Sequence, residues 1–259
     1  MTISETLYTL IIGAVQGATE LLPISSSGHL ILISEITSHE IGLIEIAFLH
    51  IGTLAALVVV SRNKIREILN RNALINILLS IIPAGLIGFW LKDIIEQELT
   101  HPLIIILSLV GWGIVMIIVD ARALKKTFRT KTLSGVSRRQ ALTIGLGQAL
   151  ALIPGTSRSG ITTITGIAVG LDPATALSFS FLSGIPLIAS SGLYSLIKIN
   201  LSQNSSINMS TANIILATII SFGVGIAAAW ILKRFIKKRI LTLCGIYRII
   251  LGILLITLI

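Results

Sequence analysis

The sequence predicts an all-α polytopic membrane protein with six transmembrane helices and two re-entrant helix hairpins, arranged in two inverted-topology repeats. The first observation is composition: of 259 residues, 54% are hydrophobic and only 12% are charged, whereas soluble domains carry about a quarter charged residues. The second is the recurrence of apolar runs long enough to cross a bilayer as helix. The third is a pair of similar polar motifs that interrupt two further apolar regions.

The predicted transmembrane helices are the uninterrupted apolar segments, three in each half of the chain. A helix needs about 17 to 25 predominantly apolar residues to span the hydrocarbon, and these segments reach that length. They are 43–60, 74–91 and 102–119 in the first half, and 176–197, 212–232 and 240–259 in the second.

The two remaining apolar regions, 7–36 and 141–170, are broken in the middle. "PISSSG" (23–28) interrupts the first and "PGTSRSG" (154–160) interrupts the second. Each arm has about 10 to 16 residues, too few to cross the membrane alone. Irregular backbone at membrane depth is tolerated where protein surrounds it or where it lines a cavity, so both regions are predicted to be re-entrant hairpins.

The positive charge predicts the orientation of the chain rather than a nucleic-acid partner. The net charge is +9, but most of the basic residues cluster in three short loops, within 62–71, 122–139 and 233–239. Short basic loops face the cytoplasm. We therefore expect a multi-pass plasma-membrane protein with cytoplasmic basic loops, both termini outside, and a first hairpin that opens on the outer side.

The two broken regions predict an internal repeat. "GAVQGATELLPISSSG" (13–28) resembles "GLGQALALIPGTSRSG" (145–160), and an alignment with one deletion before the proline pairs Ser26 with Ser157. Further pairs in this alignment are Phe48 with Phe179, Gly85 with Gly225, and Gly111 with Gly245.

Each half contains one hairpin and three spans, an odd number of crossings, so the halves must be inverted relative to each other. We predict one membrane domain, 1–259, made of halves 1–122 and 141–259 joined by the basic loop 123–140. In this plan broken helices from both repeats meet near the midplane and build a site there.

A few ionisable residues are predicted to lie at membrane depth, where they are costly and usually functional. They are Glu20, His29, His50, Arg158 and Arg248. If the inverted hairpins meet tip to tip, then Glu20, the serines of the first break and His29 lie opposite Arg158.

This set predicts a site that handles phosphate. Arginine beside glycine- and serine-rich backbone at a helix N-terminus binds phosphate. Ser26 or Ser27 could be a nucleophile activated by His29 or Glu20, and His29 could instead protonate a leaving oxygen. Glu20 could also hold a divalent cation such as Mg²⁺ or Ca²⁺ with the substrate's phosphates. The alternative is that both breaks only serve helix packing.

The motifs "QGATELLPISSSGH" and "PGTSRSG", at this separation, resemble those of the undecaprenyl-pyrophosphate phosphatase family, the bacitracin-resistance membrane phosphatases. The resemblance covers essentially the whole chain. It implies hydrolysis of undecaprenyl diphosphate to the monophosphate and phosphate, which recycles the lipid carrier of cell-wall glycan synthesis, at a site open to the outer leaflet. It also implies that Glu20 is the essential acid, Ser26 the nucleophile, His29 the acid/base and Arg158 the diphosphate clamp.

One position departs from the commoner family pattern. Many members have two glutamates four residues apart, where this chain has Gln16 and Glu20. A glutamine side chain can orient water or phosphate but cannot act as a base, so Glu20 is expected to be the indispensable carboxylate. The residues expected to bind the substrate are Gln16, Ser25, Ser27, Gly28, Thr156, Ser157, Ser159 and Arg248.

Other polar residues are expected to be structural. His50 is predicted to make a helix–helix hydrogen bond, and Arg248 either binds phosphate or pairs with carboxylate or carbonyl groups. Asp172-Pro173 is typical of a helix start. Glu35, Glu40, Glu45 and Asp172 are expected to be solvated near span ends, and Trp90 and Trp230 to lie at the membrane interface.

A different function class stays open at this stage. Inverted repeats with re-entrant hairpins also occur in secondary transporters, so the chain could be a transporter or flippase of a phosphorylated lipid. The expected partners are a polyprenyl-diphosphate lipid and membrane lipids; the chain could also form a homodimer, and no covalently bound cofactor is expected. Apolar spans do not specify the prenyl chain length.

Overall fold

The structure is a computed structural model that describes residues 4–37, 39, 41–68, 70–99, 101–124, 127–201 and 209–256. Glu40 lies outside the described residues, as does the side chain of Glu35. Within the described ranges the chain is helical, without any β-strand; an isolated bridge joins Thr130 to Leu171. The predicted all-α class is therefore confirmed for this part of the chain.

The described residues form ten α-helices and one short 3-10 helix. The helices of the first half are α1 (Glu5–Leu21), α2 (Ser26–Thr37), α3 (Leu43–Ile68), α4 (Arg71–Gln97) and α5 (Pro102–Ala123). Those of the second half are α6 (Arg138–Ala149), the 3-10 helix Leu150–Leu152, α7 (Arg158–Ala168), α8 (Pro173–Leu201), α9 (Thr211–Phe235) and α10 (Ile240–Ile256).

Five described helices, α3, α4, α5, α8 and α9, are long and apolar enough to span a membrane. Helix α10 is apolar as well but has only 17 residues, and residues 257–259 lie outside the description. These helices agree with a polytopic membrane protein.

One predicted loop is largely helical. Arg62, Lys64 and Arg66 lie on α3, which continues to Ile68 instead of ending near residue 60. Lys64 pairs with Glu67 one turn later, and the side chain of Asn70 accepts a hydrogen bond from the N–H of Asn72 at the start of α4. Helix α3 therefore continues through these basic residues, beyond its apolar stretch.

Helix packing relies on glycine at a few close approaches. A Cβ atom at Gly13 would lie 2.7 Å from the carbonyl oxygen of Ala217, and one at Gly145 would lie 2.7 Å from that of Ser80. Helix α1 thus packs backbone to backbone on α9, and α6 on α4. Such close contacts between small residues are typical of membrane helices.

At the start of α1, Glu5 accepts a hydrogen bond from the N–H of Ser210 (2.9 Å), which lowers the pKa of its carboxyl group.

The aligned glycines have different surroundings in the structure. In the α5–α10 contact Gly245 faces Gly113, and a Cβ on either residue would lie within 2.7 Å of the other's carbonyl oxygen. Gly111 faces open space, and so does Gly85, whereas Gly225 packs on Ala56.

Candidate active site

The two helix breaks have the same local geometry. Ser25 and Ser157 have positive φ angles, 77° and 73°. The Oγ of each serine accepts a hydrogen bond from the N–H of the glycine three residues later, Gly28 (3.4 Å) or Gly160 (3.3 Å). Ser25 therefore corresponds to Ser157 without any deletion, and the predicted match of Ser26 with Ser157 is wrong by one residue.

Positive φ is costly for a residue with a Cβ atom and is concentrated at functional sites. Here the positive-φ serine directly precedes the second helix of each hairpin, α2 at Ser26 and α7 at Arg158. The first N–H groups of each helix have no partner within that helix. Two helix N-termini, one from each half of the chain, therefore begin at the breaks.

Direct hydrogen bonds join the two breaks. The Ser159 Oγ donates to the carbonyl oxygen of Leu22 (3.2 Å), and the N–H of Gly155 donates to the Ser27 Oγ (3.5 Å). These bonds connect residues that are far apart in sequence, so the hairpins meet at their tips.

An ion pair between the halves is the centre of the site. Arg158 Nη2 lies 3.1 Å from Glu20 Oε1, and the two side chains are only 14% and 10% exposed. The other carboxylate oxygen, Oε2, accepts a hydrogen bond from the Ser26 hydroxyl at 2.6 Å and one from Gln16 Nε2 at 3.4 Å. Arg158 Nη1 donates to the carbonyl oxygen of Ser180 on α8 (3.2 Å).

This ion pair lines a cavity of about 380 Å³, within the usual size range of small-molecule sites. Polar and apolar side chains both line the cavity. The polar ones are those of Thr19, Glu20, Ser25, Ser26, Ser27, His50, Gln148, Ser157, Arg158 and Ser191, and the apolar ones are those of Ala84, Ala151, Leu152, Leu187 and Ile188.

Half of the predicted site residues line the cavity. Among the predicted catalytic residues these are Glu20, Ser26 and Arg158, and among the predicted substrate-binding residues they are Ser25, Ser27 and Ser157. Gln16, Thr156 and Ser159 are buried behind the cavity wall, at 0%, 0% and 2% exposure. Gly28, His29 and Arg248 are likewise not part of the wall.

His29 does not face the cavity, which corrects its predicted place opposite Arg158. Its Nδ1 lies 2.6 Å from the Ser25 carbonyl oxygen, and its Nε2 lies 2.7 Å from the Tyr247 hydroxyl. The ring stacks on Tyr247 and lines an apolar groove between α1, α9 and α10. Two hydrogen bonds thus hold the imidazole on the far side of the break.

Arg248 clamps backbone carbonyl groups and does not line the cavity. Its side chain is completely buried, and its guanidinium donates to the carbonyl oxygens of Leu109, Ser108, Pro23 and Gly155. The last two oxygens belong to the two breaks. Because each guanidinium nitrogen already has a carbonyl partner, Arg248 joins both hairpin tips to α5.

His50 and Gln148 line the cavity, and the sequence did not indicate this role. His50 Nδ1 lies 2.9 Å from the carbonyl oxygen of Ile46, and its Nε2 lies 3.9 Å from Glu20 Oε2. The predicted helix–helix hydrogen bond of His50 is therefore absent from its described contacts. Its depth in an apolar span was the available signal, whereas its proximity to Glu20 depends on tertiary packing.

Two of the predicted span-end carboxylates have specific places in the structure. Asp172 Oδ1 accepts a hydrogen bond from the N–H of Ala174 (3.0 Å) at the start of α8, which confirms the predicted helix start. Glu45 is 3% exposed instead of solvated, because the first turn of α3 packs into a buried cluster that includes Tyr8 and Leu49.

The described side chains around Glu20 offer few ligands for a divalent cation. Within the described residues there is no group of three His, Cys, Asp or Glu side chains that could hold a metal ion. Glu20 is also the one carboxylate lining this described cavity, and it is paired with the Arg158 guanidinium. A divalent cation would be held here by Glu20 together with oxygen atoms of the substrate's phosphates, an arrangement common for Mg²⁺.

Comparison with known proteins shows similarity over nearly the whole chain. A family model described as "Bacitracin resistance protein BacA" matches residues 9–254. The undecaprenyl-diphosphatase of Sulfurihydrogenibium sp. (strain YO3AOP1) is 37% identical over 254 residues, which cover 96% of this chain and 97% of the relative. The undecaprenyl-diphosphatases of Enterococcus faecalis and Methanococcus aeolicus are 30% and 31% identical, each over at least 95% of both chains.

Proposed function

Because this chain belongs to the bacitracin resistance protein BacA family, we propose that it hydrolyses undecaprenyl diphosphate to undecaprenyl monophosphate and inorganic phosphate. Its relatives are named for this activity. Such a reaction recycles the lipid carrier of cell-wall or surface-glycan synthesis. The family is named for bacitracin resistance.

The observation that carries this proposal is the convergence of Glu20, Ser26 and Arg158 in one cavity between two helix N-termini. Free N–H groups and the positive end of the helix dipole favour phosphate oxygens. A guanidinium adds two parallel donors of fixed geometry. A diphosphate placed between the breaks would therefore find donors from both halves of the chain.

The geometry supports Ser26 as the nucleophile and Glu20 as its base. The Ser26 hydroxyl donates to Glu20 Oε2 at 2.6 Å, the distance expected for a strong O–H···O⁻ bond. In the first step Ser26 Oγ bonds to the terminal phosphorus, its proton passes to Glu20, and the bond to the bridging oxygen breaks. Undecaprenyl monophosphate leaves, and water then releases phosphate from Ser26. Gln16 holds Glu20 by its Nε2 donor.

The mixed lining of the cavity supports a lipid substrate. Leu152, Leu187 and Ile188 line the same cavity as the serines and Arg158. A phosphate group would be held by the polar side chains while the first isoprenyl unit contacts the apolar ones.

We also propose the complete membrane arrangement: six transmembrane helices and two re-entrant hairpins, in inverted repeats 1–122 and 141–259. Helices α2 and α7 have 12 and 11 residues. At 1.5 Å per residue they are roughly 16 to 18 Å long, against a hydrocarbon core of about 30 Å. This length supports their assignment as re-entrant arms.

The sidedness rests on the convergence of the basic segments. Lys64, Lys131 and Lys237, one from each, line a common cavity of about 550 Å³ at one end of the bundle. The positive-inside rule assigns that end to the cytoplasm. The termini and the opening of the active site are then assigned to the outer side.

Phosphate release by purified protein tests the proposed function. We expect the wild type to release one phosphate per undecaprenyl diphosphate, and the same assay with chelator tests whether a divalent cation takes part. Glu20→Gln should lower kcat/KM for this release by about 1,000-fold, whereas Glu67→Gln, which changes an exposed carboxylate paired with Lys64, should preserve it. The parallel measurement is lipid movement across liposomes: movement of intact diphosphate without phosphate release would contradict the hydrolase and support a flippase.

A further inference from the structure

His50 is a second side chain in the cavity wall, beside Glu20, that can accept a proton. It is brought there by α3, and its side chain is 16% exposed. The titratable side chains that line the described cavity are Glu20 from α1, His50 from α3 and Arg158 from α7. An arginine remains protonated in proteins, which leaves the carboxylate and the imidazole.

The hydrogen bonds of His50 fix which nitrogen faces the site. Nδ1 lies 2.9 Å from the carbonyl oxygen of Ile46. A carbonyl oxygen only accepts hydrogen bonds, so Nδ1 carries the hydrogen of the neutral ring. Nε2 therefore has its lone pair directed toward the side of Glu20 Oε2, 3.9 Å away.

The distance of 3.9 Å is too long for a direct hydrogen bond. A separation of this kind suits a bridging water molecule or substrate oxygen. His50 Nε2 and Glu20 Oε2 thus flank one small polar space at the Ser26 hydroxyl, which donates to the same Oε2 atom.

The proposed reaction through Ser26 needs two proton transfers. Glu20 receives the first proton, and its oxygens already accept hydrogen bonds from Arg158, Ser26 and Gln16. Gln16 cannot take a proton because an amide is not a base. The attacking water of the second step therefore needs another base, and the described cavity wall offers His50.

We propose that His50 is a catalytic residue, the general base that activates water for hydrolysis of the phosphate ester on Ser26; this inference rests on the proposed function. The water oxygen bonds to phosphorus, and one water proton passes to His50 Nε2. The bond between phosphorus and Ser26 Oγ breaks, and Ser26 recovers its proton from Glu20. Phosphate leaves, and His50 then returns its proton to solvent.

His50→Gln tests this role because glutamine can hydrogen-bond but cannot accept the proton. General-base catalysis contributes about 10²- to 10⁴-fold, so we expect kcat to fall by about 100-fold or more, with KM falling in parallel and kcat/KM little changed. Labelled phosphate should accumulate on Ser26, since the first step remains intact. His101→Gln, at the exposed N-cap of α5, is the matched control and should retain wild-type kcat.

A second variant separates catalysis from positioning. His50→Ala leaves space for a small base, and added imidazole should restore a substantial part of its kcat if the missing function is proton transfer. Retention of kcat by His50→Gln, loss expressed only in KM, or failure of imidazole to restore His50→Ala would overturn the inference. If the wild type releases no phosphate, the proposed function fails and the role of His50 fails with it.

Discussion

At the scale of single residues, Arg158 depends on a neighbour that has no side chain. Its guanidinium lies against α8, with Nη1 bonded to the Ser180 carbonyl oxygen at 3.2 Å. A Cβ atom on Gly184 would stand 2.7 Å from the Arg158 Cζ and 3.0 Å from its Nη2. Gly184 therefore leaves the space in which the guanidinium reaches Glu20.

Gly184→Ala should displace the guanidinium and leave the helices in place. The atoms that the new methyl group meets belong to the end of a flexible side chain, and alanine favours helix over glycine. Displacements of about 1 Å in an active site can cost 100-fold in rate. We expect kcat/KM for phosphate release to fall by about 10- to 100-fold, while the melting temperature in detergent stays equal or rises.

Gly223→Ala is the matched control, because a Cβ atom at Gly223 would meet nothing within 4 Å. It should leave activity unchanged, and its melting temperature should stay equal or rise as in Gly184→Ala. Equal activity of Gly184→Ala and wild type would show that Arg158 does not need its present position.

His29 and His50 show what the sequence can and cannot predict about single residues. Both His29 and His50 were recognisable as costly residues at membrane depth. His29 was favoured because it follows Glu20 closely in sequence, yet its ring bonds to Tyr247 on the other side of the break. His50 lines the cavity because α3 packs beside α1. Because this is a tertiary contact between α3 and α1, the spacing of residues along the sequence does not predict it.

At the scale of helices and breaks, Arg248 joins the elements that form the site. From α10 it reaches carbonyl oxygens of both breaks, at Pro23 and Gly155, and of α5. Breaks free backbone carbonyl groups, and in a membrane these groups need partners within the protein. One buried guanidinium supplies several partners at once.

Arg248→Met should destabilise the protein more than it changes substrate recognition. Its removal would leave buried carbonyl oxygens without a donor, and each unsatisfied buried polar group costs about 1–3 kcal/mol. We expect a clear fall in the free energy of unfolding in detergent. Arg234→Met, on the exposed side of α9, should change it little. Wild-type stability together with a raised KM would contradict the clamp and restore a substrate-binding role.

The breaks also show the limit of alignment by motif. Both hairpins and their break positions were predicted from apolar length and from the Pro, Ser and Gly residues. The register between the two breaks was predicted wrongly. The alignment matched Pro23 with Pro154 and needed a one-residue deletion, whereas the positive-φ residues Ser25 and Ser157 match without one. Backbone conformation, rather than residue identity, marks the equivalent positions.

At the scale of the whole molecule, the arrangement of charges predicts sidedness. Lys64, Lys131 and Lys237 meet at one end of the bundle. At the other, by the proposed topology, lies the pair of helix starts joined by Glu5 and Ser210. Apolar runs and basic loops were sufficient to predict this topology. Bilayer thickness sets the length of an apolar span, and basic loops favour the cytoplasmic side, so both leave a direct trace in the sequence.

Cysteine labelling tests this arrangement in intact cells. In a Cys244→Ser background, His101→Cys should react with a membrane-impermeant thiol reagent added outside. Lys131→Cys should react only after the membrane is opened. Reaction of both positions from the same side would contradict the proposed topology.

The most direct test of the whole proposal is a double-mutant cycle across the two halves. The kcat/KM for undecaprenyl diphosphate would be measured for wild type, Glu20→Gln, Arg158→Met and the double variant. Residues that act as one unit are strongly non-additive. We expect each single variant to lose about 1,000-fold, as removal of a key electrostatic group can do, and the double variant to lose no more. Full turnover in either single variant, or losses that multiply in the double variant, would contradict a shared active site.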